Sequence, residues 1–225
     1  MRVLDCDIEI AVEGFHLELA FHMKNEVLAL QGDSGSGKTT TLDCIAGIRR
    51  PKKGRIQLKD KVLFDSEEEI DQPIRHRKIG YIFQSYALFP NMTVRENILF
   101  GIQQKRRNEQ TRNLMDHYVD ILNIGHLIHK YPGDLSGGEQ QRVAILRALM
   151  VDPELLLMDE PFSALDESLR EKLYEELLMF KKEFDIPIII ITHNNREAKY
   201  LADRIYHLRD GKIISEEVKQ QGEWV

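Results

Sequence analysis

The sequence predicts an α/β protein: a largely parallel sheet, with an antiparallel β subdomain beside it and a helical subdomain inserted into it. Three observations lead there. Residues 4–23 alternate apolar and polar, the period-two mark of a half-buried hairpin. Short apolar runs at 26–30, 155–158 and 188–192 have the length of buried strands, and helical patterns separate them. Between Ser85 and Met150 the pattern is helical throughout, and the α/β alternation resumes only at Leu155.

In chain order, Leu4, Cys6, Ile8, Ile10 and Val12 are apolar with Asp5, Asp7 and Glu9 between them. After Glu13 and Gly14 the alternation resumes through Phe15, Leu17, Leu19, Phe21 and Met23, which predicts a hairpin with one buried face. Strand 26–30 leads through a Gly-rich loop into a helix over 40–48. That helix has Leu42, Ile45 and Ile48 on one side and Gly47 and Pro51 at its end. Short strands are expected at 56–58 and 62–64, a solvated acidic loop at 65–71, and a strand at 79–83. In the helical block, Thr93 and Glu96 predict a capping box for a helix through Phe100. A second helix carries Leu114, Tyr118, Ile121 and Leu122, and a third begins at Ser136. Strand 155–158, a helix over about 168–184, strand 188–192 and a short helix at 196–202 follow, and a hairpin turned at Asp210 and Gly211 closes the chain. The expected organisation is one domain, with 1–84 and 152–225 as core plus β subdomain and 85–151 as the helical subdomain.

The chemistry concentrates in Gly32-Asp33-Ser34-Gly35-Ser36-Gly37-Lys38-Thr39-Thr40, which fits the phosphate-cradling pattern G-x-x-x-x-G-K-[ST] between a strand and a helix. Gly35 and Gly37 let backbone N–H groups approach phosphate oxygens with no Cβ in the way. The helix opening at Lys38 directs its positive dipole end at the same phosphates. Lys38 supplies a charge for the β and γ phosphates, and the Thr39 hydroxyl is placed to ligate Mg²⁺. The bland alternative is an ordinary Gly-rich turn, against which the flanking strand and helix speak.

Two further stretches gain meaning beside that loop. Leu155 to Met158 is an apolar strand ending in Asp159 and Glu160. Strands often end in surface acids, but with a phosphate loop upstream Asp159 reads as the Mg²⁺-holding carboxylate and Glu160 as the base that polarises a water. Ser136-Gly137-Gly138-Glu139 reads as a capped helix start. That leaves two glycines in a first helical turn, each costing up to ~1 kcal/mol. A second anion site made of bare N–H groups, the Ser136 hydroxyl and the helix dipole accounts for them.

In order and spacing these motifs resemble the ATP-binding subunits of ABC transporters, over nearly the whole chain: the phosphate loop, Gln84 after Tyr81-Ile82-Phe83, Leu135-Ser136-Gly137-Gly138, the Asp159–Glu160 strand, Ser163-Ala164-Leu165-Asp166, and His193 after Ile191-Thr192. The resemblance implies a P-loop NTPase (RecA-like) core that binds ATP and Mg²⁺. It implies that Gln84 senses Mg²⁺ and the attacking water, that Asp166 lies across a dimer interface, and that His193 contacts the γ-phosphate. Gly32, Ser34, Ser36 and Thr40 fall in the nucleotide-binding loop. An adenine stacks on an aromatic residue of the first hairpin in such proteins, and Phe15 is the nearest candidate, with a place in the core as its other reading. The implied assembly is a head-to-tail homodimer on an integral membrane permease that receives solute from a binding protein. The cassette would then lie in the cytoplasm on the inner face of the cell membrane. Residues 83–90 resemble importers, and residues 62–65 with 75–81 resemble the molybdate or related oxyanion subgroup. Sulfate, polyamine or sugar importers are the alternatives, with a soluble ABC ATPase and a P-loop kinase further off. Many relatives continue into a C-terminal regulatory domain, which a chain ending at Val225 is expected to lack.

Composition agrees with this class. The chain has 225 residues, 42% hydrophobic and 30% charged, enough for a sizeable core. A formal charge of −6 and a pI near 5.8 argue against a general nucleic-acid binder. Cys6 and Cys44 are too few for a disulfide scaffold and have no metal-site spacing, so reduced cytosolic thiols are expected. The N-terminus has no signal-peptide apolar stretch, and apolar runs fall far short of the ~20 residues needed to span a bilayer. Any membrane connection is expected through a partner protein.

Overall fold

The alternating N-terminal segment forms the antiparallel strands β1 (Leu4–Val12) and β2 (Phe15–Met23), in a computed structural model that describes residues 2–12, 14–102, 108–163, 165, 167–220 and 223–224. Strand β3 (Val27–Gly32) runs into the Gly-rich loop and helix α1 (Lys38–Ala46). Gly47 ends α1 in a left-handed conformation, its N–H returning to the carbonyls of Asp43 and Cys44. Ile48, expected on the buried side of this helix, lies beyond that cap and is 47% exposed. Strands β4 (Lys53–Leu58), β5 (Lys61–Asp65) and β6 (Ile70–Asp71) follow, then β7 (Ile79–Ile82).

The acidic run at 65–71 is more than a solvated loop. Asp65 is buried, and its Oδ1 accepts the N–H groups of Glu67 and Glu68 at 2.9 and 3.1 Å. That turn sends Ile70 and Asp71 back to pair with β5.

The insertion between β7 and its parallel neighbour β8 (Leu155–Asp159) holds α2 (Val94–Leu99), α3 (Glu109–Ile121) and α4 (Gly137–Leu149). Both Thr93 of α2 and Ser136 of α4 form full capping boxes, with Glu96 and Glu139. Of the face expected for α3, Leu122 is buried and Tyr118 packs against the core, but the rest of the stripe lies elsewhere. Met115 and Val119, with Leu122 just past the helix, are buried, while Leu114 and Ile121 are 38% and 37% exposed. After β8 come α5 (Glu167–Phe184), β9 (Ile188–Ile191), α6 (Asn195–Leu201), β10 (Arg204–Arg209), β11 (Lys212–Gln220) and β12 (Glu223–Trp224).

Two sheets result, ordered β2-β1-β4-β5-β6 and β12-β11-β10-β3-β9-β8-β7. The run from β10 to β7 is parallel. The central strands β3, β9 and β8 read as near-continuous apolar runs because both faces are covered, whereas β10 carries Arg204, His207 and Arg209. Leu28, Leu30, Leu155, Leu157, Ile189 and Ile191 face α1 and the antiparallel sheet. Ala29, Leu156, Met158, Ile188 and Ile190 face the helices. Leu30 stands beside Ile191, Ile191 beside Asp159, and Met158 beside Ile82. Four strands therefore end together, at the edge where open α/β sheets bind ligands.

Candidate functional site

The loop after β3 is shaped by close backbone approaches. Gly32 sits at φ +149°, and a Cβ there would lie 2.1 Å from the Leu208 carbonyl oxygen. Gly37, the N-cap of α1 at φ +103°, would place a Cβ 2.4 Å from Leu17 Cδ1. The hairpin turn between β10 and β11 braces the loop. Gly211 N–H donates to the Ser36 carbonyl at 3.3 Å, and Glu18 N–H donates to the Gly211 carbonyl at 2.8 Å. Ser34, Gly35 and Thr39 are exposed, Ser36 is buried, and Thr40 is half-buried. Buried Lys38 donates from Nζ to the carbonyls of Gly32 and Asp33, at 2.8 Å each. Burial lowers its pKa, and Glu160, Asp159 and Asp33 oppose the shift.

The ends of the neighbouring strands face this loop. Burial raises the pKa of Asp159, and a hydrogen bond from the Thr39 hydroxyl works against it. Glu160 turns away from the strand at φ +44°. It is held there by its N–H on the Ile191 carbonyl at 3.0 Å and by the Ser163 hydroxyl on its own carbonyl at 2.9 Å. Its Oε2 then meets two side chains from two other strand ends: Gln84 Nε2 donates to it at 3.3 Å, and His193 Nδ1 stands 3.4 Å away. The β7, β8 and β9 termini thus converge on one carboxylate oxygen.

The other named residues lie elsewhere. Phe15 is half-buried against the core between the sheets, its ring beside Gly37. Ser136 donates its hydroxyl to Glu139 Oε2 at 2.7 Å and accepts the Glu139 N–H at 3.4 Å. Gly138 is buried, and a Cβ on Gly137 would lie 3.1 Å from Leu165 Cδ2. Asp166 lies outside the described residues.

Several residues that shape the site were not legible beforehand. Tyr86 and Ala87, just after Gln84, both adopt positive φ. Arg147 of α4 donates to both of their carbonyls at 2.7 Å, and Tyr86 Oη donates to the Pro161 carbonyl at 3.2 Å. Buried Asn97 holds the following loop through the Phe89 N–H and the Phe89, Met92 and Thr93 carbonyls. Arg77 is buried beneath α1 and donates to the carbonyls of Cys44, Ile45 and Gln72 and to Asp71. No local pattern marks these residues, because each partner is remote in sequence or is backbone.

The family model described as ABC transporter matches residues 17–163. The chain is 40% identical over 209 residues to the Molybdenum import ATP-binding protein ModC of Pseudomonas fluorescens, covering 92% of this chain and 58% of that protein. It is 43% identical over 203 residues to the protein of the same name from Methylococcus capsulatus, covering 90% and 56%. It therefore spans a little over half the length of these curated relatives. Among solved structures, a dimeric ATP-binding cassette bound to ADP and Pi in a post-hydrolysis state superposes with a TM-score of 0.79 at 27% identity, covering 97% of this chain and 99% of that one.

Proposed function

The chain belongs to the ABC transporter family, and on that premise we propose that it is the ATP-hydrolysing subunit of a molybdate importer. One observation carries the hydrolytic part: Gln84, Glu160 and His193, from three strand ends, meet at one carboxylate oxygen beside a phosphate loop. In this reading the loop amides and Lys38 bind the phosphates of ATP. Lys38 now spends its N–H groups on Gly32 and Asp33, so phosphate oxygens replace carbonyls at a charge that burial has already desolvated. Glu160 accepts a proton from the attacking water, and Gln84 and His193 hold that water and the γ-phosphate in line.

Mg²⁺ fits the oxygen donors present, the Thr39 hydroxyl and the Asp159 carboxylate already bonded to each other. Among the described residues no group of three His, Cys, Asp or Glu side chains could hold a metal alone, which suits an ion that keeps phosphate and water ligands. Bound there, Mg²⁺ would neutralise charge on the phosphates.

In this reading a head-to-tail dimer completes the site; a cassette that shares this fold is dimeric in its structure with ADP and Pi. Ser136, Gly137 and Gly138 of one copy serve the nucleotide of the other, and Asp166 is assigned to the same interface by its sequence motif alone. Hydrogen bonds of Ser136 run within its own helical turn, to Glu139 and Gln140, so its N-terminal dipole stays available to a second chain's phosphate. ATP closes the dimer, and hydrolysis reopens it. Phe15 takes the adenine.

No described helix is long and apolar enough to cross a membrane. Membrane contact then runs through a permease, docked near residues 83–90 on the cytoplasmic side. The solute follows from the relatives' names, and a solute-binding protein would deliver it. In membranes reconstituted with the cognate permease, ATPase activity should rise with molybdate-loaded binding protein. Stimulation by sugar- or polyamine-loaded proteins instead would refute the molybdate assignment and leave the ATPase standing.

A further inference from the structure

We propose that Glu197 is a positioning residue that sets the orientation of His193, acting through Thr192 and Asn194 on either side of it. The starting point is a contrast. His193 is 67% exposed, and Glu160 is the charged group it meets, at 3.4 Å. An exposed imidazole on a loop has nothing packed around it to fix its direction, so its backbone must do so. Glu197, in the first turn of α6, is 4% exposed. A carboxylate at that depth persists only with partners for its oxygens.

The partners are specific. Tyr174 Oη of α5 donates to Glu197 Oε2 at 3.0 Å. The Thr192 side chain lies near the same carboxylate and favours its charged form, against the rise in pKa that burial causes. Thr192 Oγ1 accepts the Asn194 N–H at 3.0 Å, closing a turn across His193 with the hydroxyl on the Glu197 side of the shared cavity. Asn194 in turn caps α6, its Oδ1 accepting the N–H groups of Arg196 and Glu197 at 2.9 and 3.3 Å. The ring of Tyr174 packs edge-on against Phe162, two residues past Glu160, with centroids 4.9 Å apart. Glu160, Ser163, Thr192, His193, Asn194 and Glu197 line one small cavity. Glu197 therefore ties the loop bearing His193 to the segment bearing Glu160, hydrogen-bonding to neither His193 nor Glu160 while its charge acts on His193 through space. If the Thr192 hydroxyl lost the carboxylate beside it, it could rotate away, and the Asn194 N–H would lose the oriented lone pair that holds the turn.

This role rests on the ATPase reading, and a double-mutant cycle separates the two. Phosphate release from MgATP is measured on the full chain carrying Glu197→Ala, Glu197→Gln, Thr192→Val, His193→Ala, and His193→Ala with Glu197→Ala. Glu197→Ala and Thr192→Val should each lower kcat about 10- to 100-fold with KM for ATP changed less than about 2-fold, since a misplaced group costs transition-state geometry and not ground-state binding. Glu197→Gln keeps an acceptor oxygen and should stay within about 3-fold of wild type. In the His193→Ala background, Glu197→Ala should cost no more than about 2-fold further. A full, multiplicative loss there, or a KM rising in step with the fall in kcat, would overturn the positioning role while leaving the ATPase. Wild-type turnover by His193→Ala would overturn the positioning role and His193's part in hydrolysis while leaving the ATPase, and no phosphate release by the unsubstituted chain would overturn the ATPase reading. Should Glu197→Ala fail to fold, Thr192→Val with and without His193→Ala decides by the same criteria.

Discussion

Replacing Glu160 with Gln isolates chemistry from architecture. The backbone of residue 160 is held at φ +44° by its N–H on Ile191 and by the Ser163 hydroxyl, and neither contact involves the carboxylate. The side chain is 24% exposed and touches Gln84 at 3.3 Å and His193 at 3.4 Å, long contacts whose loss costs stability about 1 kcal/mol at most. An amide of the same shape keeps an acceptor oxygen for Gln84 but cannot take a proton. Losing a positioned base costs about 10²- to 10⁴-fold, or roughly 3 to 5 kcal/mol of barrier. Lys38 and the loop amides are unchanged, so ATP affinity should hold within about 3-fold. Phosphate release and equilibrium nucleotide binding, measured on the same preparation, test this. Hydrolysis within about 3-fold of wild type would remove Glu160 from its role, and a matching loss of ATP affinity would make it a binding group.

Phe89 is half-buried against Phe100, with ring centroids 4.2 Å apart and the Arg147 guanidinium 5.8 Å from its ring. Phe89→Asp should abolish solute-stimulated ATPase in reconstituted membranes and leave basal turnover of the isolated chain within about 3-fold, because it puts an unpaired charge into the permease contact; an equal loss of both would place Phe89 in the fold's own core. Both cysteines are buried, and burial pushes the Cys44 thiol from 9.0 up to about 12. Thiol reagents at pH 8 should leave both unmodified until the chain unfolds. Because the folded chain favours the neutral thiol, this contribution to stability is complete below pH 9 and lost as the pH rises through about 12, visible as a falling denaturation midpoint.

Much of the fold was legible because each cue is local. One-sided alternation specifies β1 and β2, and continuous apolar runs specify the doubly covered β3, β8 and β9. Thr93 and Ser136 announce their helices through a four-residue capping pattern. The face of α3 was legible at Tyr118 and Leu122 but not at Leu114 and Ile121, since stripes through Leu114 and Met115 are one residue apart and only the packing partner chooses between them. Ile48 was misplaced because Gly47 ends α1 first, and the strand at Ile70 was hidden behind the buried turn that Asp65 makes with its own backbone. In the site, the phosphate loop and Asp159–Glu160 are contiguous motifs. The convergence of Gln84, Glu160 and His193 depends on strand order, which spacing alone does not reveal. Arg77, Asn97 and Glu197 are buried and Arg147 is half-buried; each is satisfied by backbone or by residues the fold brings to it, and no sequence pattern betrays them.

The central claim, that two copies share each nucleotide, is tested most directly by crosslinking between chains. Ser34 in the phosphate loop and Ser136 at the start of α4 are both exposed, while Cys6 and Cys44 are buried and unreactive. A tagged chain with Ser34→Cys and an untagged chain with Ser136→Cys, each also Glu160→Gln, are mixed and treated with a short bifunctional thiol reagent. With ATP present, a tagged–untagged species of twice the chain mass should form, and without nucleotide it should be absent or weak. Failure of any interchain product to form with ATP, while chains carrying both cysteines link internally, would contradict the shared site and place both anion-binding helix starts within one chain.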